Sequence, residues 1–431
     1  MRLWSLLQKE RHQLIVIRLV IINWAIIFIG LFVNSGLNAI TLILIARRID
    51  AFAYGQYLAS YALVSLLVIL PGFGTDAWLL TQYRSSQEEA YGLWLSLLRL
   101  RLVLLVIWGL GMVLVTIFLP ASTYPLKILI PSIIGSIFDS ITILGYTALR
   151  IRERHLWVTF LQSITAILLL SLILLIPLTE NFVATFAIAR AVLSFVTVTI
   201  VLSMLWEKSN HLVRDSLVPM RHLLSAARTF MQSEVAATIY ARADVTIISL
   251  TLGAVATGIY GPAINILQAV AIIPRALFFF IVPVLSKTYM ERRSSFLKQG
   301  YTQLLFQVFV GTFVSIAVFL FAPQIIRLIF LNEYDPSITI LKLFSPVPFL
   351  RSINFGLAAL LASSNCQPQR TKVQFASAGF NVIANVFVIG IYGLRGVAIV
   401  YVLSELLLLL GYITIVFQLA QNVSLRLNTD S

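Results

Sequence analysis

The chain has 431 residues, of which 59% are hydrophobic and only 11% charged, and its formal net charge is +14. Soluble proteins are about a quarter charged, so most of this surface cannot face water. That excludes a soluble enzyme, a disordered scaffold and a conventional nucleic-acid-binding protein, although the positive charge alone would suggest a nucleic-acid partner. The single cysteine, Cys366, excludes a disulfide within the chain, and the four histidines stand alone, so we expect neither a metal nor a cofactor.

Long apolar runs predict an all-α polytopic membrane protein. A membrane-spanning helix needs about 20 apolar residues, and the runs are too continuous for the strands of a barrel. The first run, Leu19 to Ala46, exceeds the ~7–15 residues of a signal-peptide core, so we expect it to be a retained span. In chain order we predict twelve helices, at 19–46, 53–80, 93–119, 126–149, 156–178, 182–206, 224–252, 256–286, 302–322, 338–362, 372–392 and 396–420.

The positive charges predict the orientation of these helices. Of the 31 Lys and Arg residues, 20 fall on the side of the N-terminus, with Arg101 among them, five fall on the opposite side and six fall within predicted spans. Cytoplasmic loops of membrane proteins collect Lys and Arg. We therefore expect both termini to lie in the cytoplasm.

An internal repeat predicts the domain organisation. The stretches Ala53–Tyr57 and Ala256–Tyr260 share their Ala, Gly and Tyr at an offset of 203 residues, and Pro71 and Pro274 follow at the same offset. An offset of six helices preserves orientation, so the repeat is parallel, and parallel repeats place a substrate site between their halves. We predict two six-helix bundles, residues 1–206 and 223–431, around a central cavity and joined by a cytoplasmic linker at 207–222.

Three segments carry a resemblance to a known family. Ala46–Tyr57, Gly253–Tyr260 and Asn381–Asn385, in this order, resemble the O-antigen and exopolysaccharide flippases of the multidrug/oligosaccharidyl-lipid/polysaccharide exporter superfamily. The resemblance covers nearly the whole chain. It implies two six-helix bundles that move undecaprenyl-diphosphate-linked oligosaccharide across the bacterial inner membrane by alternating access. It implies no catalysis, and it suggests membrane lipids, a polysaccharide polymerase and glycosyltransferases as partners of a monomer.

Ionisable residues within spans cost at least ~2.5–3.5 kcal/mol each, so each needs a physical reason. The basic ones are Arg190, Arg228, Arg242, Arg275, Lys342 and Arg351. Arg228, Lys342 and Asp76 lie near predicted helix ends, from which long side chains reach water. The repeat predicts one ion pair in each bundle, Asp139–Arg190 and Arg351–Glu405.

The seventh and eighth helices flank the proposed cavity and carry the other charges. Glu234, Arg242 and Asp244 lie within about 160° on one side of the seventh helix at ~100° per residue, and Arg275 lies in the eighth. Guanidinium groups match phosphate oxygens, so Arg242 and Arg275 are the first diphosphate candidates. Arg190 and Arg351 are further candidates, and Asp244 or Glu234 is a candidate for coupling to an H⁺ or Na⁺ gradient. The alternative is that Arg242 only pairs with one of these acids.

Two other functions stay open. A multidrug-type ion-coupled exporter would share the fold and differ in the charge of its cavity. A membrane-embedded polymerase or glycosyltransferase would be expected to carry a sizeable outer loop, whereas the longest one here is Pro323 to Ser337. No G-x-x-x-x-G-K-[ST] loop is present, so we expect no ATP hydrolysis.

Overall fold

The computed structural model describes residue 30 and residues 33–82, 87–206, 218–291, 293–364 and 366–429. The described part of the chain is helical throughout, with no strand. The first predicted helix is seen as α1 at residues 33–48, and its earlier part lies outside the described residues. The others are α2 (Ala51–Leu67), α3 (Ile69–Gly72), α4 (Thr75–Thr81), α5 (Gln87–Phe118), α6 (Leu126–Ile151), α7 (His155–Leu175), α8 (Phe182–Trp206), α9 (Met220–Thr251), α10 (Gly253–Val270), α11 (Ile272–Glu291), α12 (Arg293–Phe330), α13 (Pro336–Leu343), α14 (Val347–Ser363) and α15 (Gln367–Thr429).

Nine helical stretches among the described residues are long and apolar enough to cross a membrane. The last of them holds both the eleventh and the twelfth predicted helices, because α15 turns at Gly393, whose φ of 55° a residue with a side chain rarely adopts. α9 is not among the nine, since its charged side chains lower its hydropathy. Each predicted helix from the second to the twelfth corresponds to a described helical stretch.

Apolar side chains cover the outside of the fold. Phe118 on α5 is 86% exposed, and Phe309 and Phe313 on α12 are also largely exposed. A soluble protein would not present such a surface to water. This is the belt that lipid would cover, and it agrees with the high hydropathy of these helices.

Breaks in two helices follow the sequence repeat. The second predicted helix bends at Val68, between α2 and α3, and the eighth bends at Ala271, between α10 and α11. Both residues have φ −67° and ψ −10°, and they are separated by the repeat offset. Pro71 and Pro274 follow three residues later, and each lacks the N–H that would bridge the bend. The repeat is therefore present in the backbone as well as in the sequence.

The two halves cross at α2 and α10 through the matched glycines. A Cβ atom at Gly55 would collide with the carbonyl of Ala254, and one at Gly258 would collide with the carbonyl of Ala51. Small residues let helix backbones approach this closely in membranes. The shared Gly of the repeat therefore forms a symmetric contact between the halves.

Further bonds join the halves at the end of the molecule that holds the α1–α2 and α9–α10 connections, here called the α1–α2 end. The Tyr334 hydroxyl donates to the Ala46 carbonyl at 3.0 Å, and the Tyr124 hydroxyl lies 2.6 Å from that of Ser249. The Ala51 N–H donates to Glu333 at 2.9 Å. This end is closed.

The predicted linker at 207–222 is only partly visible. Residues 207–217 lie outside the described residues, and α9 begins at Met220, so the last three positions of the predicted linker are helical instead. Pro219 explains the boundary, because proline is favoured at the start of a helix and disfavours helical conformation in the residue before it. The proposed division into 1–206 and 223–431 stays a prediction.

Candidate functional site: two polar pockets in the halves

A basic cavity of about 370 Å³ lies in the second half of the chain. Its walls come from α9, α10, α11, α14 and α15. Among the described residues, four arginines and one acid, Glu405, line it. The arginines are Arg242, Arg275, Arg351 and Arg370. The cavity thus has an excess of positive charge inside a mainly apolar protein.

The predicted pair Arg351–Glu405 forms one wall of this basic cavity. Arg351 Nε lies 2.8 Å from Glu405 Oε1, and the Glu405 side chain is only 1% exposed. Asn354 donates to the other carboxylate oxygen at 2.9 Å, and Arg351 donates to the Tyr401 hydroxyl. Glu405 therefore neutralises Arg351, and both of its carboxylate oxygens accept hydrogen bonds.

The other three arginines of the basic cavity have no carboxylate within ion-pair distance in the described part of the chain. The positive charges of Arg351 and Arg275 repel each other electrostatically. Arg370 lies in the first turn of α15, and its guanidinium carbon lies 5.4 Å from the ring centre of Phe278. Cations held together in a low-dielectric site repel one another unless an anion lies between them. The cavity is therefore suited to an anionic ligand.

A second pocket of about 370 Å³ lies in the first half, between α1, α6, α7 and α8. It contains the other predicted pair, with Arg190 Nη2 at 3.2 Å from Asp139 Oδ2. Most of its other polar groups are neutral amides and hydroxyls: Asn34, Asn38, Thr142, Tyr146, Gln162, Thr165, Ser194 and Thr197. Since Arg190 and Asp139 cancel, this neutral pocket has no net charge.

One tyrosine joins the two halves between these pockets. The guanidinium carbon of Arg190 lies 4.6 Å from the ring centre of Tyr61, and that of Arg242 lies 5.2 Å from the same ring. Both distances are within the ~6 Å of a cation–π contact. Arg190 and Arg242 therefore belong to one central constellation, although they line different pockets.

The two acids of α9, Glu234 and Asp244, are not among the residues that line the basic cavity, and each contacts a different neighbour. Asp244 is 2% exposed, accepts a hydrogen bond from the Tyr260 hydroxyl at 2.5 Å and accepts another from the Val245 N–H. Glu234 accepts a hydrogen bond from the Gly74 N–H and interacts electrostatically with Asp76 and Arg101. Neither acid forms an ion pair with Arg242 in the described residues, although the charge of Arg242 acts on Asp244. The roles proposed for these residues therefore stay predictions.

The Arg101 side chain is buried, although the sequence counts its charge on the cytoplasmic side. The sequence places it with the cytoplasmic side, whereas its side chain is 2% exposed and lies 3.0 Å from Asp76. It also donates to the carbonyls of Ser140 and Gly72. Asp76 is consequently a half-buried partner of Arg101 rather than a residue that reaches water from a helix end. The left-handed residues Phe73 and Gly74 separate α3 from α4, and Asp76 in the first turn of α4 reaches Arg101 on α5.

Sequence reasoning missed three residues of the site. Tyr61 and Tyr401 contact the central arginines, and Arg370 lines the basic cavity. A signal for Tyr61 existed, since Tyr54, Tyr57 and Tyr61 follow the spacing of one helix face. No sequence signal marked Arg370, because a charged residue in a loop and one in the first turn of a helix look alike in sequence.

No group of three or more His, Cys, Asp or Glu side chains that would suit a metal ion occurs among the residues the structure describes. Cys366 is a free thiol. The chemistry of both pockets is therefore that of arginines, carboxylates, amides and hydroxyls.

Solved transporters share this fold. The lipid II flippase MurJ in an inward closed conformation has a TM-score of 0.71 at 14% identity, with 91% of this chain and 87% of that chain covered. An inward-facing multidrug resistance MATE transporter of the multidrug/oligosaccharidyl-lipid/polysaccharide exporter (MOP) superfamily has a TM-score of 0.67 at 14% identity, with 92% of this chain and 96% of that chain covered. A MOP superfamily transporter from Pyrococcus furiosus, whose binding pocket is described as having reverse polarity, has a TM-score of 0.65 at 14% identity, with 93% and 94% covered.

The sequence itself matches a family of polysaccharide biosynthesis proteins. Their sequence profile covers residues 20–289, which is more than half of the chain. No curated protein sequence matches significantly. The twelve-helix, two-repeat architecture predicted from the sequence agrees with the solved relatives. The chain belongs to the polysaccharide biosynthesis protein family, and its fold is that of the MOP-superfamily flippases and transporters.

Proposed function

We propose that the protein flips undecaprenyl-diphosphate-linked oligosaccharide across the bacterial inner membrane for surface polysaccharide synthesis. The observation that carries the proposal is the basic cavity, in which Arg242, Arg275 and Arg370 lack an acidic partner among the described residues. Guanidinium groups bind phosphate oxygens through paired donors. A diphosphate would supply the negative charge that this cavity lacks.

The hydrogen bonds between the halves at the α1–α2 end fit an early step of alternating access. If both termini lie in the cytoplasm, as the charge distribution predicts, this end faces away from the cytoplasm. The basic cavity extends to Arg370, in the first turn of α15, at the opposite end of the molecule. A substrate diphosphate would then enter the cavity from the cytoplasmic leaflet, where lipid-linked sugars are assembled.

The test is transport by arginine variants in cells that lack the native gene. We expect Arg242→Ala and Arg275→Ala each to lower transport about 10- to 100-fold, because a hydrogen bond to a charged group contributes ~1.5–3 kcal/mol. Accumulation of lipid-linked oligosaccharide in the cytoplasmic leaflet measures the loss. Arg395→Ala is the matched control, since Arg395 is exposed and lies outside both pockets.

Two outcomes would contradict the flippase assignment. Normal transport by Arg242→Ala and Arg275→Ala, at normal protein levels, would remove the diphosphate role of the cavity. Export of organic cations by the purified protein, unaffected by either substitution, would favour the multidrug exporter instead. The excess of arginine in the cavity argues against that alternative, because cations are repelled from it.

For coupling to an H⁺ or Na⁺ gradient, we propose Glu234 ahead of Asp244. Glu234 Oε2 is buried without a hydrogen-bond partner in the described part of the chain, whereas Asp244 uses both oxygens. An unpaired buried carboxylate oxygen is costly, and a bound cation would relieve that cost. We expect Glu234→Gln to make transport in proteoliposomes independent of the imposed ion gradient. Transport by this variant that still follows the gradient would rule Glu234 out.

A further inference from the structure

We propose that the neutral pocket of the first half binds the uncharged sugar portion of the substrate. This inference rests on the proposed flippase function and assigns the two parts of one substrate to two places. The diphosphate lies in the basic cavity of the second half, and the first sugars lie against α1, α6, α7 and α8.

The chemistry of the lining points to a carbohydrate. A sugar hydroxyl both donates and accepts hydrogen bonds, so it needs partners that do the same, and amides and hydroxyls are such partners. Asn34, Gln162 and Ser194 supply them within the pocket. Arginines without acids, which suit phosphate, are absent from the described lining, since Arg190 is paired with Asp139.

Several of these polar groups have bonding capacity to spare. The Gln162 amide and the Ser194 hydroxyl make no hydrogen bond with the described residues, and Asn34 only accepts from Asn38. Polar groups inside a membrane protein are costly unless they are bonded. A pocket of about 370 Å³ is within the ~300–1,000 Å³ typical of small-molecule sites, so a ligand can supply those bonds.

The position of the pocket matches a substrate that reaches across both halves. The Asp139–Arg190 pair in its wall lies against Tyr61, and Arg242 of the basic cavity lies against the same ring. The pocket residues also lie near the middle of α6, α7 and α8, the level at which repeat transporters hold substrates. A diphosphate beside Arg242 would therefore have its sugar directed towards Tyr61 and the neutral pocket.

Photo-crosslinking in polysaccharide-producing cells tests the assignment with the native substrate. The probe is p-benzoylphenylalanine, placed at position 162 in the neutral pocket or at position 268, where Gln268 lines the basic cavity. We expect an adduct that contains sugar at position 162 and an adduct that contains undecaprenyl diphosphate at position 268. Adducts at 268 with none containing sugar at 162 would overturn the inference and leave the flippase function standing. No substrate adduct at either position would overturn the flippase function itself.

Binding by a milder variant gives a second, independent measurement. The double variant Gln162→Ala with Asn34→Ala is purified in nanodiscs and titrated with undecaprenyl diphosphate and with the oligosaccharide-bearing lipid extracted from the same cells. Two lost neutral hydrogen bonds at ~1 kcal/mol each predict roughly a tenfold or greater loss of affinity for the glycosylated lipid only. Gln418→Ala is the matched control, since Gln418 is exposed and outside both pockets. Equal losses for both lipids, or no loss for either, would contradict the inference.

Discussion

The two halves of the molecule carry the same scaffold and different charge. Each half has an ion pair at equivalent helices, Asp139–Arg190 in the first and Arg351–Glu405 in the second. Each pair lies beside a polar pocket of about 370 Å³. The first pocket is neutral, whereas the second holds three arginines without acidic partners in the described residues. A repeat can therefore preserve helix packing while its halves acquire different ligand chemistry.

The same contrast appears in burial. The Glu405 side chain is 1% exposed and that of Asp139 is 39% exposed. The second pair must therefore hold its charges with little help from water, and Asn354 and Tyr401 supply the additional hydrogen bonds. Because the two pairs differ in burial, removing one partner from each should cost different amounts of stability.

The largest expected effect comes from removing one partner of the buried pair. Glu405→Gln leaves Arg351 without its acid, and we expect a loss of ~3–5 kcal/mol in the free energy of unfolding. Asp139→Asn, the matched change in the first half, should cost clearly less because water reaches that pair. Thermal unfolding of both variants in the same detergent measures the difference. Equal losses for the two variants would show that the halves do not differ in burial.

Next in size is the crossing of α2 and α10. Gly258→Ala forces a Cβ atom against the Ala51 carbonyl, and we expect ~1–3 kcal/mol of destabilisation from overpacking. Gly55→Ala should behave alike, because it meets the Ala254 carbonyl across the same contact. Gly111→Ala on α5 is the control, since nothing lies within 4 Å of its added Cβ. If Gly55 and Gly258 tolerated alanine as Gly111 does, the symmetric contact would be refuted.

A smaller effect is expected at the tyrosine between the pockets. Tyr61→Leu removes the ring that both Arg190 and Arg242 contact, and a cation–π contact contributes ~0.5–2 kcal/mol. We expect affinity for undecaprenyl diphosphate to fall about 3- to 10-fold, with Tyr61→Phe close to the wild type. Titration in nanodiscs distinguishes these variants. A loss in Tyr61→Phe as large as that in Tyr61→Leu would point to the hydroxyl rather than the ring.

The smallest effect concerns an exposed pair at the α1–α2 end. Arg327 donates to both oxygens of Asp335, at 3.0 and 2.8 Å, and holds the pKa of that carboxyl below its ordinary value. A depressed folded-state pKa contributes stability above the pKa of the unfolded chain and loses it as pH falls through the folded value. We expect Arg327→Gln to change thermal stability slightly at pH 7 and not at all at strongly acid pH. A large change at pH 7 would give this exposed pair a role that its position does not predict.

Much of the fold was predictable because lipid imposes a simple rule on sequence. Spans of about 20 apolar residues set the number of helices, and the matched Gly and Pro of the repeat set the pairing of the halves. Arg242, Arg275 and Arg351 could be singled out because a charge in a span needs a physical reason, and all three line the basic cavity.

The remaining features depend on three-dimensional contacts that the sequence does not encode locally. Arg101 was counted with the charges of the cytoplasmic side, whereas its side chain is buried against Asp76, which follows the left-handed residues Phe73 and Gly74. Glu234 and Asp244 looked like cavity residues, yet they contact Gly74 and Tyr260 respectively. The neutral pocket escaped notice because single amides and hydroxyls on four helices form no motif.

The most direct test of the difference between the halves is a cryo-EM structure of the protein in nanodiscs with bound undecaprenyl diphosphate. We predict density for the diphosphate in the basic cavity, within hydrogen-bond distance of Arg242 or Arg275, and none in the neutral pocket. Diphosphate density beside Asn34 and Gln162, with the arginines of the second half unoccupied, would contradict the division of chemistry between the halves.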